Sequence, residues 1–155
     1  MDIANSHVTN LIEKIKLSQE IYDKLSSKVH FEPMREIFDA LRQEKNEVMS
    51  VLERELGLSI EEHSVSFMGS LKANVEKFGI ELDHLVIQNN YNEALSFAIK
   101  REREIIHAFN DVLQDDALES KEATVIADYK VRTENLLDEI TERFKRGDFK
   151  QNELD

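Results

Sequence analysis

The sequence predicts an all-α fold, a four-helix bundle with a helical crossover between its second and third main helices. Three observations carry that expectation. Apolar residues recur at intervals of three and four along most of the 155 residues, which is the helical period. One Pro and four Gly leave too few turn-formers for a many-stranded fold. Four amphipathic stretches run about 20 to 28 residues each, long enough to share a core when paired. One domain is expected over residues 1–147, with a polar, disordered tail at 148–155.

The first helix is expected over residues 3–29, with Leu11, Ile15, Tyr22, Leu25 and Val29 along one stripe. Pro33 suits the first position of the second helix, where a missing N–H costs nothing. That helix carries Met34, Phe38, Leu41, Val48, Met49, Leu52 and Leu56 on one face, and Gly57 is expected to end it. Ser59 and Glu62 read as a capping box opening a shorter amphipathic segment, Ile60 to Phe78, closed by Gly79. Leu82, Leu85 and Val86 follow, before the break at Gln88-Asn89-Asn90. Residues 58–91 are long enough to return the chain along the whole bundle, so they read as a crossover. The third main helix starts near Asn90 or Asn92 and presents Leu95, Ala98, Ile99, Ile105, Ile106, Phe109 and Leu113. Asp116 with Glu119 is expected to cap the fourth, which runs to Arg146 with Ile126, Tyr129, Thr133, Leu137, Ile140 and Phe144 inward.

Composition removes several function classes. The formal net charge of −12 argues against nucleic-acid or anionic-membrane partners, because phosphate binding needs a positive footprint. The absence of Cys removes disulfides, thiol catalysis and cysteine-ligated metals. With neither a signal-peptide pattern nor a long apolar run, a cytoplasmic location is expected. Five scattered His, no Gly-x-Ser-x-Gly elbow and no Gly-rich phosphate loop argue against an enzyme.

Helical phase decides which polar residues face inward. A di-iron carboxylate centre uses Glu-x-x-His pairs, and the chain holds two such strings, Glu81/His84 and Glu104/His107. On the third helix, Glu104 and His107 lie about 200° and 140° from the inward direction, whereas Glu102 lies within about 40° of Leu95, Ala98, Ile106 and Phe109. Glu81/His84 sits in the crossover without matching ligands. On the second helix, Lys45 lies within about 40° of Met34, Phe38, Leu41, Met49 and Leu52. Lys130 flanks the fourth stripe at about 70°, from which a long side chain reaches inward. The first helix offers Ser18 near its centre.

Three stretches stand out beside the helix order and the crossover: NLIEKIKLSQEIYDKL in helix one, FDALRQEKNEVMSVLERELG in helix two and ALSFAIKREREIIHAFNDVL in helix three. Together they resemble the ferritin-like superfamily, and within it a bacterial four-helix-bundle family of unknown function related to rubrerythrins. The resemblance implies a helix-three Glu seven residues before an aromatic, met here by Glu102 and Phe109. The implied Glu-x-x-His pairs fall on Lys45 with Val48 and on Lys130 with Thr133, and the helix-one carboxylate falls on Ile15. Only Glu102 matches.

The expected function is therefore non-enzymatic and metal-free: a scaffold, a stress-related accessory or a protein-interaction module, with self-association as one form of partner binding. A buried polar cluster of Glu102, Lys45, Lys130, Thr133 and Ser18 takes the place of the metal site, with Tyr22 a further hydrogen-bonding group. The alternative is an iron-binding protein with an altered carboxylate site around Glu102, drawing on Glu44 and Glu47. Those two lie about 100° and 200° from Lys45 on the second helix. A third reading, a groove for a small apolar ligand, would use Met34, Phe38 and Met49. For self-association the candidate strip is Phe67, Met68 and Leu71.

Overall fold

The computed structural model describes residues 3–56, 76–85, 88, 91–114 and 118–147. The described residues form helices and their connections, with no strand among them. The elements are α1 (Ile3–Lys28), α2 (Glu32–Leu56), a helical stretch over residues 76–85, here α3, α4 (Tyr91–Leu113) and α5 (Ser120–Lys145). None of the helices in the described residues is long and apolar enough to cross a membrane.

Boundaries follow local chemistry. The Phe31 carbonyl accepts from the Met34 and Arg35 amides at 3.1 and 3.0 Å, which opens α2. Pro33 accordingly sits one position further in than expected, still within the turn whose N–H groups have no helical acceptor. At the end of α5, Gly147 adopts φ 78° and its amide donates to the Phe144 carbonyl. A left-handed residue there lets the chain leave α5 without the Cβ clash any other residue would meet. The N-cap of α5 is Glu119, whose side chain makes no capping hydrogen bond. The expected Asp116 cap lies outside the described residues, as do Gly57 and the Ser59/Glu62 box.

Chain direction follows from which residues meet. Three residues join α1 to α2, so these neighbours are antiparallel. Tyr22 bonds to Glu102 at 2.7 Å and Phe31 stacks on Tyr91 at 5.6 Å, so α1 and α4 also run in opposite directions. Glu44 meets Thr133 while Glu47 meets Arg132, which makes α2 and α5 antiparallel. It follows that α2 and α4 are parallel. Met34, Phe38, Tyr91 and Ala94, from the starts of α2 and α4, share one apolar cluster. Val48, Leu52, Ile105 and Val112, from their later turns, share the other. The end of α2 and the start of α4 therefore lie at opposite ends of the bundle. Of the expected crossover 58–91, residues 58–75, including Phe67, Met68 and Leu71, are outside the described set.

The described part of that connection corrects one expectation. The sequence ends a helix at Gly79, yet α3 continues through it to residue 85. Packing outweighs the propensity cost of about 1 kcal/mol for a mid-helix Gly. Leu82 is buried, and Phe78 and Leu85 pack against the same apolar cluster. The Phe78 and Phe97 rings meet at 5.3 Å, with the Arg101 guanidinium 5.1 Å from each ring centre, and Lys28 pairs with Asp83 at 2.8 Å. A Cβ at Gly79 would make only ordinary contact, 3.6 Å from Lys24 Nζ. Gly79→Ala is therefore expected to raise stability by about 0.5–1 kcal/mol, read as a higher urea midpoint at unchanged slope.

Candidate functional site

The two apolar clusters are separated by a polar layer to which each long helix contributes one inward residue. On α1 Ser18 falls between Ile15 and Ile21; on α2 Lys45 falls between Leu41 and Val48. On α4 Glu102 falls between Ile99 and Ile105; on α5 Thr133 falls between Tyr129 and Leu137. Among the described residues these four are the buried polar side chains, at 2%, 0%, 1% and 0% exposure. Each occupies a position of the 3.6-residue repeat that would otherwise hold a core aliphatic.

Lys45 is the centre of the layer. Its Nζ lies 2.7 Å from Glu102 Oε1 and 2.5 Å from Glu44 Oε1. Beyond this contact with the ammonium, Glu102 Oε1 has no hydrogen-bond donor among the described residues. Its other oxygen, Oε2, accepts from the Tyr22 hydroxyl at 2.7 Å. The Thr133 hydroxyl has two acceptors within reach, Glu44 Oε1 at 3.0 Å and the Tyr129 carbonyl at 2.9 Å. Ser18, one turn before Tyr22, acts on the Tyr22 hydroxyl.

One ammonium thus stands between two carboxylates. Burial alone would push the Lys45 ammonium down, but Glu102 and then Glu44 outweigh it and hold it above the usual lysine value. Burial pushes Glu102 up from the usual carboxylate value; Lys45 opposes this, Glu44 reinforces it, and the Tyr22 hydrogen bond opposes it. Both directions follow from a buried group of charges with one more anion than cation. Burial, the adjacent Glu102 charge and the Tyr22–Glu102 hydrogen bond raise Tyr22 well above 10.0, so its proton stays on the phenol.

The structure brings Ser18, Lys45, Glu102 and Thr133 together. Lys130 is not part of the layer. It lies on the flank of α5, 26% exposed, 3.9 Å from Glu134 one turn along the same helix. Thr133 holds the inward place on α5, and a partner on its own helix keeps Lys130 outside. Glu44 is the member the phase argument placed outside the cluster. Its Cα is off the stripe, yet its long side chain curls in beside Lys45, 13% exposed. The flank-reach reasoning applied to Lys130 was the available signal.

Other candidate groups lie elsewhere. Glu47 is more than half exposed and paired with Arg132 at 3.1 Å. Glu104 pairs with Arg101 at 2.8 Å, His107 is exposed, and His84 faces Gln88 at 3.1 Å. Met34, Phe38 and Met49 are core residues at 0%, 0% and 4% exposure, which corrects the apolar-groove reading. Among the described residues no three His, Asp or Glu side chains converge as a metal site would require. At the positions where the resemblance to ferritin-like proteins implies di-iron ligands stand Lys45, held in its cationic form by Glu102 and Glu44, and Ile15, Val48 and Thr133, a set that does not fit such a centre.

Fold and layer together define a class: a helical bundle with a buried polar layer across its four long helices and an ion pair between α2 and α4 at its centre. No family model, curated protein or solved structure matches the chain.

Proposed function

We propose that this chain is a ferritin-like bundle in which an ammonium takes the place of the metal charge, and that it works without catalysis as a scaffold or protein-interaction module in the cytoplasm. The observation that supports it is the position of Lys45 Nζ, from α2, between Glu102 of α4 and Glu44 of α2. A divalent ion there would meet a cation at contact distance, and the carboxylates it needs are already engaged. The parallel course of α2 and α4, with the intervening chain linking opposite ends of the bundle, supports the ferritin-like part of the reading. With the centre filled by its own side chains, function falls to the surface.

Anaerobic titration with ferrous iron tests this. The expected result is no stoichiometric uptake, and a melting temperature unchanged by iron or by a chelator. One or two irons bound per chain and lost in Glu102→Gln would overturn the proposal.

A further inference from the structure

A groove between α4 and α5, on the outside of the bundle, has a composition unlike its surroundings. It is lined by Ser96, Ile99, Arg103, Thr141, Phe144 and Lys145 and encloses about 270 Å³. Its floor is apolar: Ile99 is a core residue and Phe144 packs against the same cluster. Its two charged members are both cations, and both are exposed.

On a chain with 32 acidic and 20 basic residues, the arginines otherwise find partners. Arg35, Arg42, Arg101 and Arg132 each have one, and Arg54, Arg143 and Arg146 also have partners. Among the described residues Arg103 is the one arginine without an ion pair, hydrogen bond or ring contact. Among the described residues Lys145, on the other wall of the groove, has no carboxylate either. Two other grooves make the contrast. The one between α1 and α2 balances Lys16 and Arg42 with Glu20 and Asp23, and the one between α2 and α5 sets Arg54 beside Asp128.

Two cations with no carboxylate among the described residues, over an apolar floor, complement a ligand with an anionic end and an apolar body. The volume lies near the lower limit of ligand sites, about 300 Å³, so the ligand is small. We propose that this groove binds a free medium-chain fatty acid. The guanidinium of Arg103 grips the carboxylate with two parallel N–H donors, the chain lies on Ile99 and Phe144, and Lys145, towards the other end of the groove, adds to the positive potential there. Ser96 and Thr141 offer hydroxyl donors on the walls. The site is separate from the Lys45 layer, so its failure would leave that layer and the reading built on it untouched.

Decanoate, kept below its micellar concentration, is the probe, with calorimetry and amide NMR on the full chain as readouts. One decanoate should bind per chain, with shifts centred on residues 96–103 and 141–145. Decanol, with the same chain and no charge, should bind about tenfold more weakly or less, as should decanoate to Arg103→Gln/Lys145→Gln. Both substitutions are on exposed side chains, and an unchanged thermal melt confirms that the variant is folded. Equal binding of decanol, undiminished binding by the variant, shifts centred elsewhere, or no saturation would each overturn the proposal.

Discussion

Lys45→Met is expected to destabilise the fold by about 3–5 kcal/mol in denaturant unfolding, because it leaves two carboxylates in the bundle without their cation. The ammonium is fully buried, with Glu102 at 2.7 Å and Glu44 at 2.5 Å. Methionine matches the lysine stem in length and polarisability, so the loss reports the charge and not a cavity. Glu102→Gln should cost less, since the amide oxygen still accepts from Tyr22. The informative quantity is the double variant. Once Glu102 is neutral, removing Lys45 strands only Glu44, which is 13% exposed and retains Thr133. The double variant should therefore lose less than the sum of the singles. Strictly additive losses would show that Lys45 and Glu102 do not act as a pair. A mildly stabilised double variant would still agree with coupling, because desolvation of a buried pair offsets much of its attraction.

Alkaline pH is expected to unfold this chain, with stability falling from about pH 10 upward. Lys45 is held above its usual value of 10.5 and Tyr22 well above its usual 10.0. For a group raised on folding, the folded state retains a proton that the unfolded state releases. Its contribution is complete below the unfolded value and disappears as pH rises through the folded one. Both groups act in the same direction, so urea midpoints measured in steps above pH 9 should decline, and less so in Tyr22→Phe. A flat profile to pH 11 would contradict the arrangement. Glu102 follows the same sign in a different window. Its folded value is raised mainly by burial, so its contribution is greatest below the unfolded carboxylate value and shrinks as pH rises through the folded one. The stability gap between the parent chain and Glu102→Gln should accordingly narrow from about pH 4 towards neutrality.

The self-compensated layer also bears on how the bundle is specified. Helices whose inward faces carry only apolar residues could slide past one another by a turn at little cost in burial. A charged pair from α2 and α4, with Tyr22 from α1 and Thr133 from α5, meets its partners at one register only. Sliding would leave Lys45 and Glu102 buried and unpaired, at several kcal/mol each.

Periodicity and phase made much of this molecule legible before any coordinates. A 3.6-residue repeat names the face of a helix that must leave water, so Ser18, Lys45, Glu102 and Thr133 could be placed inward from spacing alone. The same repeat put Glu104 and His107 outside, where the structure has them. Phase describes where a Cα–Cβ bond points and carries nothing about how a long side chain bends. That is why Glu44, off the stripe, reaches Lys45, while Lys130, nearer its stripe, turns to Glu134. Nor does local propensity hold where burial decides, and Gly79 stays helical because the residues around it pack on the core. The inward face of each helix is a local property of the chain. The partner each charge finds there depends on which helices are neighbours and in which direction they run, and only the tertiary structure sets that.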